Sequence, residues 1–154
     1  MKVFSATYTD FLKFNRKPNE DYFLVSQNYP IFAIADGVTE TFKEDLRYPY
    51  PGGARAAAEI FCSSVLEYLE RESKKGVDIQ EKTIREAFNL ANERIRELNE
   101  NEGMTREIIN LKDKDFFECV GITALLTGTK LIYGYLSDCG LIILDKDNDI
   151  RFKS

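Results

Sequence analysis

Residues 20–37 read EDYFLVSQNYPIFAIADG, and this stretch decides how the chain begins to fold. Residues 21–26 alternate loosely between apolar and polar positions, whereas Ile31 to Ala35 are continuously apolar. Both runs have the composition of β-strands. Because the connection between them is short, the sequence predicts an antiparallel hairpin.

The register of this hairpin follows from counting outward from the middle of its connection. Residues whose numbers sum to about 57 then face one another, with about 5 Å between the Cβ atoms of opposed residues. Asp21 is therefore expected across from Asp36, and Glu20 beside Gly37. The count gathers three carboxylates at one end of a sheet.

Three carboxylates so placed repel one another and raise one another's pKa unless a cation holds them. Their oxygens select hard cations such as Mg²⁺ or Mn²⁺. Asp36 also ends an apolar strand and is followed by Gly37, whose missing side chain lets the backbone carbonyl approach a ligand. The cluster predicts a metal site. The alternative is that these acidic residues are solvated turn formers.

Two amphipathic helices are predicted after this hairpin, and we expect them to form an antiparallel pair. The apolar face of the first consists of Ala54, Ala57, Ala58, Phe61, Val65, Tyr68 and Leu69. Gly76 is expected to end it. The second is expected to begin near Asp78 as N-cap, with Glu81 three residues later. Its apolar face consists of Ile84, Ala87, Phe88, Ala91, Ile95 and Leu98.

Further strands are predicted near the N-terminus and in the last third of the chain, which makes the fold α+β. They cover residues 3–8, 120–128, 130–138 and 140–147, with another beginning at 150. The runs 31–35, 124–126 and 141–144 are apolar throughout, as in strands covered on both faces. Only two long helices are available as cover. A second layer is therefore expected from outside these residues or from another chain, and we expect self-association through an uncovered sheet face.

The composition of the chain excludes several classes of function and partner. A chain of 154 residues fits one domain, and its net charge of −5 disfavours nucleic acid and membrane partners, which require a basic face. No export signal or apolar span is visible, so a cytoplasmic protein is expected. The three cysteines fit neither a disulfide framework nor a metal knuckle. Histidine is absent, which excludes Ser-His-Asp, Cys-His and HExxH enzymes and leaves carboxylates, metals, Arg or Lys for catalysis.

Five segments resemble, in order, the motifs of the metal-dependent PPM-type (type 2C) protein serine/threonine phosphatases. RKPNEDYF at 16–23 resembles the opening Arg and Glu-Asp motif, and AIADGV at 33–38 the Ala-Asp-Gly metal motif. GGARAAAEIF at 52–61 resembles the start of the first long helix, GITALL at 121–126 a Gly-Ser-Thr-Ala strand, and YLSDCGLIIL at 135–144 a Gly-Asp-Ser-Arg turn. The resemblance implies antiparallel sheets packed on an antiparallel helix pair, as part of a four-layer α-β-β-α sandwich.

The resemblance also implies a metal centre with two Mg²⁺ or Mn²⁺ ions, and a third in some members. Asp36 would bridge the two ions. The carbonyl of Gly37 and the carboxylate of Glu20 would serve the second ion, directly or through water. Asp138 aligns with the aspartate that binds a weaker third metal, although it could also be a plain turn residue.

The catalytic residues implied by the resemblance are Arg16 and Asp21. Arg16 would hold the substrate phosphate, since a planar guanidinium contacts two oxygens at once, although it could also be a solvent-facing basic residue. Asp21 would orient metal-bound water. The implied reaction is in-line attack on phosphorus by water bridging the metals, on phosphoserine or phosphothreonine protein substrates in signalling.

Departures from the family pattern limit this interpretation. Val38 stands where many members begin a Gly-Gly, and the turn around Asp138 lacks its Arg. The family's remaining metal aspartates lie in its C-terminal half. We therefore expect residues 1–154 to be the N-terminal portion of a single phosphatase domain, truncated and with little activity alone. The alternatives are a non-catalytic regulatory or binding module of this fold and, far behind, an acidic domain that binds Ca²⁺ or Mg²⁺ at residues 145–149.

Overall fold

The computed structural model describes residues 6–7, 19–38, 53–104 and 116–153. Their elements, in chain order, are β1 (Asp21–Val25), β2 (Ile31–Val38), α1 (Arg55–Lys74), α2 (Glu81–Asn101), β3 (Glu118–Thr127), β4 (Lys130–Leu136), β5 (Ile142–Leu144) and β6 (Ile150–Lys153). The α+β class is confirmed. The strand predicted over residues 3–8 lies largely outside the described residues.

Strands β1 to β4 form one antiparallel sheet in the order β1-β2-β3-β4, and β5 pairs with β6 in a second, smaller sheet. In the β1–β2 hairpin Asp21 is paired with Asp36, as the count from the middle of the connection predicts. The hydroxyl of Ser26 accepts the backbone N–H groups of Asn28 and Tyr29, at 3.2 and 3.0 Å. These bonds close the connection at the expected length and so fix the register.

The two helices run antiparallel, as predicted. The Tyr68 hydroxyl donates to Glu86 Oε2 at 2.8 Å, while Arg94 Nη1 donates to Ser64 Oγ at 3.1 Å, so residue numbers rise along one helix as they fall along the other. Gly76, with φ of +75°, follows the end of α1 as expected.

The N-cap of α2 is Gln80, and the prediction that Asp78 caps it is wrong. The Gln80 side chain accepts the N–H of Thr83, whose hydroxyl in turn accepts the N–H of Gln80 at 3.3 Å. The later start has a packing reason: Ile79 and Ile84 belong to the same buried cluster, in the positions of a hydrophobic staple. The chain stays extended until Ile79 has reached the core.

The core lies between the helix pair and one face of the sheet, which we call the inner face. Helix α1 contributes Phe61, Val65 and Leu69, and β2 contributes Ile31, Ala33 and Ala35, all at most 2% exposed. The rings of Phe61 and Phe88 meet edge to face with centroids 5.1 Å apart, joining the two helices above the sheet.

Asn99 fixes the chain between α2 and β3. Its side-chain amide donates to the carbonyl of Phe117 at 2.8 Å and accepts the N–H of the same residue at 2.9 Å. Both residues are buried. The pair of hydrogen bonds replaces a strand partner for Phe117, just before β3 begins.

The opposite face of the four-stranded sheet, which we call the outer face, is covered only in part. Phe152 of β6 packs edge to face on Tyr133 of β4, at 5.6 Å between ring centroids, and a cavity of about 650 Å³ separates the outer face from residues 140–144. Ile34 remains 54% exposed, so within the described residues the run 31–35 is not covered on both faces as expected. None of the described helices is both long and apolar enough to cross a lipid bilayer.

Candidate metal centre

Asp21 and Asp36 face each other at the end of the β1–β2 hairpin. Their neighbours Tyr22 and Ala35 pack into the core on the inner face. Because side chains alternate along a strand, both aspartates lie on the outer face, with about 5 Å between Cβ atoms for an opposed pair. Asp36 is exposed and Asp21 is partly exposed. Two carboxylates at this spacing can offer oxygens to one divalent cation.

Glu20 lies at the same end of the sheet but turns toward the inner face. It is 3% exposed, and its Oε1 accepts the backbone N–H of Ala54 at 2.9 Å. Its backbone carbonyl accepts the N–H of Gly37, at 3.2 Å. The structure thus brings Asp21 and Asp36 together and directs Glu20 toward α1. Across the described ranges, no three acidic or thiol side chains converge so as to hold a metal ion.

Gly37 is buried beneath the first turn of α1. A Cβ at this position would lie 2.5 Å from both the carbonyl carbon and the carbonyl oxygen of Ala54, and 2.9 Å from the nitrogen of Arg55. The glycine therefore has a packing function, because it lets the helix backbone approach the strand. Direction of its carbonyl toward a ligand stays a prediction.

Arg55, the first residue of α1, is a site neighbour that the sequence analysis did not identify. Its Nη1 donates to the backbone carbonyl of Asp21 at 3.0 Å, and its Nε donates to Glu59 at 3.1 Å. Its guanidinium also lies over the ring of Tyr22, 5.2 Å from the centroid. The four-residue spacing to Glu59 was visible in the sequence. The contact with Asp21 depends on how α1 packs on β1.

Asp138 follows β4 in a turn whose preceding residue, Ser137, has φ of 61°. The last β3–β4 pair joins Gly121 to Leu136, and Gly121 is also paired with Ala35, so this turn lies at the same end of the sheet as Asp36. Burial raises the pKa of the neighbouring Cys139 thiol, and the charges of Asp138 and Asp36 add to the shift. Arg16 lies outside the described residues.

The acidic run at 145–149 forms a turn between β5 and β6. Asp145 Oδ1 accepts the N–H groups of Asp147 and Asp149 at 2.9 and 3.0 Å, and its Oδ2 accepts from Arg151 Nε at 2.7 Å. The hydrogen bond from Asp149, with those from Asp147 and Arg151, holds the pKa of Asp145 below its ordinary value. Both oxygens of this carboxylate thus serve the turn itself, which gives no support to a cation site here.

Comparison with known proteins decides the family. The family model described as Protein phosphatase 2C matches residues 14–152. The chain belongs to the protein phosphatase 2C family. No curated protein matches it. Membership supports a phosphatase of the PPM kind, and the match spans the β1–β2 hairpin, the helix pair and both sheets.

The phosphatase 2C family is generally metal-dependent, and the residues at this end of the sheet have the chemistry that a divalent cation requires. Two aspartates on one strand pair, both directed away from the core, supply the oxygen ligands that Mg²⁺ and Mn²⁺ prefer. They fit a cation. The third carboxylate at this end, Glu20, bonds to the start of α1 with one of its oxygens.

Proposed function

We propose that this protein hydrolyses phosphoserine and phosphothreonine esters on other proteins, using a divalent cation held by Asp36 and Asp21. The observation that carries the proposal is the pairing of these two residues across β1 and β2 on the outer face. Membership of the phosphatase 2C family supplies the reaction class. A cytoplasmic location remains a prediction.

The roles of the chain's own residues follow from their chemistry. Asp36, exposed at the end of β2, offers carboxylate oxygens as the main metal ligand. Bound Mg²⁺ or Mn²⁺ would lower the pKa of water and offset charge on the phosphoryl oxygens. Asp21, which shares the cation with Asp36 across the strand pair, also accepts a hydrogen bond from the attacking water and orients it. Arg16 holds the phosphate through two N–H donors. With no histidine in the chain, no imidazole protonates the leaving group.

The proposal is tested by comparing wild type with Asp36→Asn in Mn²⁺-dependent hydrolysis of p-nitrophenyl phosphate and of phosphothreonine and phosphotyrosine peptides. The complete gene product is assayed beside the 154-residue chain. The matched control is Asp147→Asn, which makes the same chemical change at an exposed turn. Asp36→Asn is expected to lower kcat/KM by about 100-fold, which corresponds to the loss of about 2.7 kcal/mol of charge stabilisation in the transition state.

In the same assay Asp147→Asn should retain wild-type activity, and phosphothreonine peptides should be cleaved faster than phosphotyrosine peptides. Equal activity of Asp36→Asn and wild type would refute the proposal. Faster cleavage of phosphotyrosine would refute the substrate class alone.

The second candidate is a non-catalytic regulatory or binding module of the same fold. It is favoured by one observation: among the described residues, no three acidic or thiol side chains are grouped so that they could hold a metal ion. This candidate predicts no hydrolysis by the complete gene product at any Mn²⁺ concentration. It also predicts that a protein partner binds Asp36→Asn as tightly as wild type.

A further inference from the structure

The start of α1 and the end of the β1–β2 hairpin are joined by a compact set of contacts, which we call the α1 junction. Glu20 Oε1 accepts the N–H of Ala54, and the carbonyl of Glu20 accepts the N–H of Gly37. Gly37 in turn lies against the carbonyl of Ala54, and Arg55 donates to the carbonyl of Asp21. Three of these contacts link the start of α1 to Asp21 or to a residue that directly adjoins Asp21 or Asp36, and the fourth joins Glu20 to Gly37 at the end of the hairpin.

Helix α1 has no N-terminal cap from its own sequence. Ala54 occupies the N-cap position in a helical conformation and makes no side-chain capping bond, and the first turn contains no acidic residue. Alanine is among the poorest N-caps, and the first N–H groups of a buried helix need acceptors. Glu20, 34 residues earlier in the chain, supplies one of them.

The carboxylate of Glu20 suits this position for two reasons. It is 3% exposed, so its hydrogen bond to Ala54 does not compete with bulk water. Its negative charge also lies at the N-terminal end of α1, where the helix dipole favours an anion. Both the hydrogen bond and the charge stabilise the start of α1 in its place against the hairpin.

The contacts of Glu20 also restrict the positions of the two aspartates, because both aspartates are bonded in the chain to residues of the α1 junction. Asp21 directly follows Glu20, and Asp36 directly precedes Gly37. Glu20 binds Gly37 with its carbonyl and α1 with its side chain, so it fixes the neighbours of both aspartates to one rigid helix. Loss of a group that holds a metal ligand in place typically lowers metal affinity by about 10–100-fold.

We propose that Glu20 is a positioning residue: it caps α1 through Ala54 and thereby holds Asp21 and Asp36 at the spacing that binds the cation, rather than binding the cation itself. This inference rests on the proposed function, in which Asp21 and Asp36 form the metal-binding pair. Arg55 supports the same arrangement from the helix side through its bond to the carbonyl of Asp21.

The test compares Glu20→Gln, Glu20→Ala and Asp36→Asn in the 154-residue chain. Glutamine keeps a carbonyl oxygen that can accept the N–H of Ala54, but it is a much weaker ligand for Mn²⁺ than a carboxylate. Alanine removes both functions. The two readouts are Mn²⁺ affinity, from calorimetry, and the hydrogen-exchange rate of the Ala54 amide in the metal-free protein, from NMR.

The positioning role predicts that Glu20→Gln keeps Mn²⁺ affinity within about threefold of wild type, whereas Glu20→Ala weakens it by about tenfold or more. It also predicts that the Ala54 amide stays protected in Glu20→Gln and exchanges faster in Glu20→Ala. Should Glu20→Ala fail to fold, the Glu20→Gln result decides alone, because that variant keeps the capping acceptor.

The proposal is overturned if Glu20→Gln loses as much Mn²⁺ affinity as Asp36→Asn while the Ala54 amide remains protected, since Glu20 would then be a ligand. It is also overturned if Glu20→Ala changes neither readout. Failure of the proposed function shows separately: Asp36→Asn would bind Mn²⁺ like wild type. The exchange rate of the Ala54 amide is measured without metal, so it still reports whether Glu20 caps α1.

Discussion

Replacing Gly37 by alanine tests how closely α1 packs on the β1–β2 hairpin. The new Cβ would lie 2.5 Å from the carbonyl carbon and oxygen of Ala54, which is about 0.9 Å short of ordinary van der Waals contact. These are backbone atoms at the start of a buried helix, so no side-chain rotation relieves the clash. Either α1 or β2 must move.

The size of the effect follows from two opposing contributions. Overpacking in a filled core costs about 1–3 kcal/mol, and contact with backbone places Gly37→Ala at the upper end. Replacing glycine also reduces the entropy of the unfolded chain, which returns about 0.4–1 kcal/mol. We expect a net loss of about 2 kcal/mol in the free energy of unfolding. At a urea slope of about 2 kcal/mol per M, the midpoint falls by about 1 M.

Gly134→Ala is the matched control for this prediction. Its Cβ would approach Ile84 Cγ2 to 2.6 Å, a similar distance, but this atom belongs to a side chain, which can shift with less disturbance than the backbone at the start of a helix. Urea denaturation followed by circular dichroism should show a midpoint for Gly134→Ala that lies between those of Gly37→Ala and wild type. The packing argument for Gly37 is refuted if Gly37→Ala unfolds at the wild-type midpoint, or if Gly134→Ala is the less stable of the two.

Three further predictions concern the core, the thiols and the outer face. Asn99→Ala should lower the free energy of unfolding by about 2–4 kcal/mol in urea denaturation, because both backbone groups of Phe117 lose a buried partner. Burial raises the pKa of Cys62 and Cys119 to about 12, so both thiols should resist iodoacetamide at pH 8 in the folded protein. Because the folded state holds these protons more tightly than the unfolded state, their contribution to the free energy of unfolding should be complete below pH 9 and lost as the pH rises toward 12. If the uncovered sheet face mediates self-association, sedimentation velocity should show less of it for Ile34→Lys than for wild type; equal association would exclude that face.

The register of the β1–β2 hairpin could be predicted from the sequence because a short connection leaves few alternatives. Counting outward from its middle placed Asp21 opposite Asp36, and the structure confirms that pair. The same alternation could have shown that Glu20, next to Asp21 in an extended chain, faces the other way. The two-residue period of a strand therefore indicates the direction of the Glu20 side chain. Its hydrogen-bond partner, Ala54, lies 34 residues away and could not be inferred from local sequence.

One helix boundary could likewise be predicted from local sequence, whereas another depends on a tertiary contact. Gly76 could be recognised as the end of α1 because a positive φ is a local property of glycine. The start of α2 at Gln80 instead depends on Ile79 reaching the core, which is a tertiary contact that overrides the better capping residue, Asp78. The position of Arg55 beside Asp21 could not be inferred from the sequence for the same reason, because its bond to the Asp21 carbonyl forms only once α1 lies on the sheet.

The most direct test of the metal-binding pair is a titration of Mn²⁺ into the ¹⁵N-labelled chain, following the paramagnetic broadening of each backbone amide. If Asp21 and Asp36 hold the cation, the amide signals of Asp21, Asp36 and Gly37 broaden first, and Asp36→Asn abolishes this selective broadening. Broadening that begins at residues 145–149, or that is equally strong in Asp36→Asn, would contradict this prediction.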